Sequence, residues 1–121
     1  MKYSKYRNKK VTQIINGEKV VFDSKKENSR FNELYLMAKQ GKITQLTLQP
    51  KYLLLDTLRQ KGHKTLQKRH YVADFRYIND KGETIVEDVK ASAKFQDPVY
   101  RLKKHLFLAK YGEELIFREI Y

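Results

Sequence analysis

The chain has no cysteine, no tryptophan, two prolines and five glycines in 121 residues. Without cysteine there are no disulfides, no thiolate chemistry and no Cys-containing zinc or iron–sulfur site. Apolar runs such as Tyr52 to Leu55 are far too short to span a bilayer, and no signal peptide is visible. The missing Trp also removes the usual anchor of a membrane-surface helix. His63, His70 and His105 show no H-x-x-H or H-E-x-x-H spacing, and no G-x-x-x-x-G-K loop occurs. Zinc-hydrolase and ATP chemistry therefore lack support. Internal repeats and low-complexity tracts are absent as well. What remains reads as one cytoplasmic domain over 1–121, with a basic arm at about 1–10.

Acid is scarce too: 14 Asp and Glu stand against 26 Lys and Arg, a formal charge of +12. Such a field selects an anionic partner. Both candidate helices have apolar faces that a core explains, so nucleic acid is favoured and a membrane is not expected.

The local signals give an order of elements. Val11–Ile15 and Lys19–Phe22 flank Asn16-Gly17, a strong hairpin signal. Ser24 followed by Glu27 fits a capping box, opening a helix from about Lys25 to Gln40 that Gly41 closes. Its buried stripe is Phe31, Leu34, Tyr35 and Ala38. One strand follows through Ile43, Leu46 and Leu48, and another, after Pro50, through Tyr52 to Leu55. Arg59 to His70 is polar and basic and reads as a loop or hairpin tip. Strands at about 70–79 and 84–91 are joined by Asn79 to Gly82. Asp97-Pro98 starts a second helix with a stripe of Val99, Leu102, Leu106 and Ala109, ended by Gly112. Leu115 to Ile120 closes the chain as a strand. This order predicts an α/β fold: a small mixed central sheet flanked by helices.

Two stretches carry chemistry: Tyr71-Val72-Ala73-Asp74-Phe75 and Val86-Glu87-Asp88-Val89-Lys90. Asp88 and Lys90, two apart on a strand, share a face, and Glu87 points to the opposite one as an edge or structural acid. A lone D-x-K triplet is weak evidence in a chain this charged. Only two [DE]-x-K triplets occur, however, and Asp23-Ser24-Lys25 sits at a helix mouth where its acid has an ordinary role. Asp88-Val89-Lys90 sits in an apolar strand, where a charge needs a reason. The plain alternative is a solvated strand face. Ala73, Phe75 and Tyr77 make the core side of the first strand. Val72, Asp74, Arg76 and Ile78 face the other way. If the two strands pair antiparallel, Asp74 and Asp88 come close enough to share a cation, unless Asp74 simply pairs with Arg76 or Lys90. Glu27 falls on the core-facing stripe of the first helix, either as the reciprocal cap to Ser24 or as a third acid reaching the same metal. Gln49 is either a plain strand end or a group that positions water or phosphate.

These residues resemble the PD-(D/E)xK nuclease superfamily. More closely they resemble small phage-encoded, Holliday-junction-resolvase-like proteins described as DUF1064. The matching segments are Ser4 to Lys9, Phe22 to Glu27, Leu48-Gln49-Pro50, Tyr71 to Phe75, Val86 to Lys90 and Tyr100 to Lys104, spread over nearly the whole chain. Ala73 stands where the motif's proline would be. The resemblance implies a restriction-endonuclease-like core and Mg²⁺-dependent cleavage of DNA, with Mn²⁺ as a substitute and branched DNA such as a Holliday junction as the suggested substrate. It places the first acid at Asp74, the triplet at Asp88-Val89-Lys90 and the helical acid at Glu27. The metal ligands would then be Asp74, Asp88, the Val89 carbonyl and Glu27, with Lys90 stabilising charge. Resolving a junction takes two cuts, which implies a homodimer.

Charge density nominates the DNA grip: Lys5, Arg7, Lys9 and Lys10 in the arm, and Lys64, Lys68 and Arg69 in the basic loop. Tyr100, Lys103 and Lys104 are either backbone contacts beside the cleft or a solvated helix face. The competing function is a non-catalytic basic nucleic-acid-binding protein whose Tyr71, Phe75 and Tyr77 stack bases.

Overall fold

A computed structural model of the chain describes residues 9–92 and 96–121. The expected arm positions Lys5 and Arg7 lie outside the described residues. Strands β1 (Val11–Ile15) and β2 (Glu18–Phe22) form the first hairpin. Its turn works because Asn16 and Gly17 both take positive φ, 50° and 82°. Helix α1 (Lys25–Lys39) starts at Ser24, whose hydroxyl accepts the Glu27 N–H at 3.1 Å.

The central sheet is four-stranded and mixed, in the order β3 (Thr44–Leu48), β6 (Phe75–Ile78), β7 (Thr84–Val89), β8 (Ile116–Ile120). β3, β6 and β7 are antiparallel, and β8 joins β7 in parallel after the crossover through α2 (Pro98–Tyr111). A separate ribbon pairs β4 (Lys51–Leu55) with β5 (Arg69–Val72). A bulge interrupts β3 between Thr44 and Thr47, with Gln45 at φ 55°. Among the described residues no helix is long and apolar enough to cross a membrane.

Two cores form on opposite faces of the sheet. Phe22, Phe31, Leu34, Ile43, Phe75, Tyr77 and Ile85 fill the one beneath α1. Leu54, Tyr71, Ala73, Val86 and Phe107 fill the other, where α2 packs on β4 and β5. β7 alternates between them and is buried on both sides from Ile85 to Asp88.

Three expectations are corrected. The single strand at 70–79 is two, broken at Ala73-Asp74. There the Ala73 N–H bonds the Pro50 carbonyl (3.1 Å) while the Asp74 carbonyl takes the Gln49 N–H (2.9 Å), so the chain leaves one sheet for the other. The break sends Ala73 into the α2-side core, away from Phe75 and Tyr77. In α2 the stripe is shifted. Phe107 is its one fully buried side chain among the described residues, with rings of Tyr52 and Tyr71 each 4.8 Å away, whereas Val99 and Leu102 are about 60% exposed. A large ring that fills an aromatic pocket sets the helix phase over two smaller aliphatic side chains.

Candidate metal and nucleic-acid site

Where β6 breaks, acids from both faces meet. The β6–β7 register sets Phe75 opposite Glu87, so the next pair outward is Asp74 and Asp88. Because β6 stops one residue short, the Val89 N–H has no strand partner on that side. The Asp74 carboxylate takes it instead, Oδ2 at 2.6 Å. In a strand the N–H and C=O of one residue point to the same edge, so the Val89 carbonyl also opens toward Asp74. Asp88 is 6% exposed; its Oδ2 accepts from the Tyr71 hydroxyl and its Oδ1 lies 3.1 Å from the Lys90 ammonium. Glu27 approaches from α1 and is 5% exposed, as its place on the core-facing stripe requires.

The electrostatics are those of an overcrowded acid site. Burial, then the charge of Asp88, then that of Glu27 push Asp74 up to about 8, against the stabilising Val89 N–H. Burial and the Asp88 carboxylate likewise raise Tyr71 well above a free phenol, so it stays a hydrogen-bond donor. Among the described residues no three His, Cys, Asp or Glu side chains already converge as a metal-holding group. The acids brought together are the Asp74–Asp88 pair, with Glu27 near enough to bear on Asp74.

Glu87, one residue from Asp88, has a different setting. It is fully buried on the α1 face, with Arg30 Nε and Nη2 at 2.7 and 2.6 Å and the Tyr77 hydroxyl at 2.5 Å. Arg30 carries no sign of this role in its sequence context beyond its place one turn after Glu27.

Lys90 is held between two groups that favour a cation. Besides Asp88, its ammonium sits 3.3 Å from the centroid of the Tyr100 ring. Its carbonyl receives the Lys26 ammonium at 2.8 Å. A cleft of about 500 Å³ opens alongside, lined by Lys9, Lys25, Lys26 and Lys90 with Ser24. A second, of about 210 Å³, contains Glu27, Gln49 and Asp74. Gln49 there adopts φ 51°, a left-handed conformation costly for a residue with a Cβ, and its N–H holds the Asp74 carbonyl.

The remaining nominated cations divide. Lys10, Lys64, Lys68 and Arg69 are exposed. Tyr100 and Lys104 turn inward: the Tyr100 hydroxyl reaches Glu119 at 2.6 Å, and the Lys104 ammonium reaches Glu119 and Gln96 at 3.2 Å. Burial works against the Glu119 charge, yet the bonds from Tyr100 and Lys104 hold it below the ordinary carboxylate range. Both side chains therefore brace α2 against β8 rather than extend toward a backbone. Lys103 is half-buried near His70. Sequence reasoning missed Tyr71 as the partner of Asp88, and Lys25 and Lys26 as cleft residues. The spacing of Tyr71 three before Asp74 carries no such signal without the β6 break.

No curated protein and no solved structure matches the chain significantly. The model of one protein family, described as protein of unknown function (DUF1064), matches residues 3–119, and with the match running over nearly its whole length the chain belongs to that family.

Proposed function

We propose that the protein is a metal-dependent endodeoxyribonuclease of PD-(D/E)xK type, hydrolysing phosphodiester bonds in DNA, with branched DNA such as a Holliday junction as its substrate. The observation that carries this reading is the Asp74–Asp88 pair at the β6 break, with Glu27 near enough to bear on Asp74, beside a lysine-lined cleft. A carboxyl whose pKa is raised by burial and by two neighbouring acids, as that of Asp74 is, is well matched to a divalent cation. The donors are all oxygen, which suits Mg²⁺ or Mn²⁺. Asp74, Asp88, Glu27 and the Val89 carbonyl would hold the ion. When bound it would supply Lewis acidity toward the phosphate and lower the pKa of a water.

The chain's own residues supply the rest. Tyr71 fixes the Asp88 carboxylate from one side and Lys90 from the other, so its rotamer is set before substrate arrives. Lys90, packed on Tyr100, is a preorganised cation that offsets negative charge developing on the phosphate in the transition state. Lys9, Lys25 and Lys26 line the adjoining cleft and suit the neighbouring phosphates. Gln49 lines the second cleft together with Glu27, where its amide suits a water or a phosphate oxygen.

The base-stacking version of a non-catalytic binder loses its platform, because Tyr71, Phe75 and Tyr77 are 3%, 0% and 3% exposed. The test is a nicking assay with Mg²⁺ or Mn²⁺ over plain duplexes, flaps and four-way junctions, run beside Asp88→Asn. Cleavage that needs the metal and is lost in the variant supports the reading. Tight binding to every DNA with no cutting in either metal would return the protein to the binding class. Paired cuts in a junction would further ask for two copies, which sedimentation of the complex measures.

A further inference from the structure

Past Leu55 and before Arg69, the β4–β5 ribbon continues as a projecting hairpin. Leu58 and Leu66 exchange both backbone hydrogen bonds, at 2.8 and 2.9 Å. The chain reverses over Gln60–His63, where the His63 N–H reaches the Gln60 carbonyl at 3.1 Å and Gly62 supplies φ 84°. Residues directly opposed in such a pair lie on one side of the ribbon. Leu58 is 53% and Leu66 58% exposed, and neither belongs to either core. A single exposed leucine is ordinary. Two set side by side, each more than half exposed and outside both cores, are a paired apolar tip.

Charge decides what covers it. Arg59, Lys61, Lys64, Lys68 and Arg69 flank the pair along the chain and are all exposed, against the single acid Asp56. A second copy docked on the same side would press two such clusters together, which is repulsive. A polyanion neutralises them, and leucine is one of the side chains that enter between base steps when cations hold the flanking phosphates.

We propose that residues 56–68 form a DNA wedge: Leu58 and Leu66 enter the base stack while the flanking cations hold phosphates on either side. This rests on DNA being the partner, as in the function proposed above, but not on cleavage. The hairpin is rooted at the acid site through the bond between Pro50 and Ala73. Leu66 lies eight residues before Asp74, so at about 3.3 Å per residue the wedge acts within about 26 Å of the acids, or about eight base steps. Unstacking costs least where bases are already mispaired or at a branch. The wedge would thereby sort branched from plain DNA at a distance from the reacting phosphate.

The experiment uses the full chain in EDTA, where no cleavage occurs, with duplex and four-way-junction DNA carrying 2-aminopurine at successive positions. Binding is followed by anisotropy and unstacking by fluorescence. Wild-type protein should raise the fluorescence about threefold or more at one or two steps. The double variant L58S/L66S should bind within about threefold yet leave fluorescence at the free-DNA level. Its melting curve should match wild type, since both leucines lie outside the cores. Wild-type binding with no enhancement at any position, or equal enhancement by the variant, overturns the wedge and leaves the DNA reading standing. A variant that instead turns a dimer into a monomer in sedimentation overturns it in favour of self-association. Failure to bind any DNA overturns both.

Discussion

Glu87 and Asp88 are neighbours on β7 and both are buried, yet their surroundings differ in kind. Glu87 faces α1 and meets a bidentate guanidinium and a phenol, so its charge is answered within the chain. Asp88 faces α2 and meets one ammonium and one phenol while a second carboxylate, Asp74, presses on it and Glu27 stands close by. Period-two alternation on a strand buried on both faces makes this contrast possible. One acid belongs to the scaffold. The other belongs to a cluster in which burial, Asp88 and Glu27 push the Asp74 carboxyl above its ordinary range, a strain that the divalent cation of the proposed function would relieve.

The largest expected effect lies on the crowded side. Asp88→Asn should cut Mg²⁺-dependent cleavage by about 10³-fold or more, with DNA affinity equal or slightly higher. Single-turnover cleavage with a parallel binding titration checks it; wild-type rates at matched metal would place the chemistry elsewhere. Next comes the answered side. Arg30→Met strands a buried Glu87 and should cost about 3–5 kcal/mol, whereas Arg30→Met with Glu87→Gln should recover much of that. Urea unfolding of the three proteins decides, and a cheap single variant would mean that Glu87 is not charged in the fold.

A smaller effect separates the two sides by pH. The Asp74 carboxyl rises from 3.8 to about 8 on folding. Between those values the unfolded chain has lost a proton that the folded chain keeps, so metal-free stability should fall as pH rises from about 4 to 8 and then level off. Asp74→Asn should flatten that slope and gain about 1–3 kcal/mol at pH 8, the scale of relieving a poorly satisfied buried group. Mg²⁺ should reduce the slope in the wild type alone. Denaturant melts across that pH range, with EDTA or Mg²⁺, measure both. The smallest stability change is expected for Glu27→Gln, about 1 kcal/mol or less, with most of the cleavage lost. Normal cutting by a protein that melts earlier would make Glu27 a capping residue only.

The legible parts of the chain were those set by local chemistry. Asn16-Gly17, Ser24 with Glu27, and Asp97-Pro98 each specify a turn or a helix start through a few adjacent atoms, and all three stand where the sequence places them. The antiparallel meeting of Asp74 with Asp88 followed from one turn and one strand pair. Ala73-Asp74 was illegible because the residues that break the strand, Gln49 and Pro50, lie more than twenty positions away and act through backbone bonds. The α2 phase was misread for a related reason. Val99, Leu102 and Ala109 satisfy helical spacing, but Phe107 answers to rings contributed by β4, β5 and β8. Lys104 has a helix-surface spacing and a half-buried partner, Glu119, that the parallel crossover brings near.

The bulge in β3 bears on how the molecule avoids aggregating in a crowded solution. β3 is an outer strand, and a flat outer strand offers its unused N–H and C=O groups as a template for another chain. With an extra residue between Thr44 and Thr47 and Gln45 turned to φ 55°, that row of groups loses its even spacing. A neighbouring strand laid along it would fall out of step within a few residues. The irregularity thus works as protection against sheet-to-sheet aggregation, built into the edge of the same sheet whose interior gathers the acids.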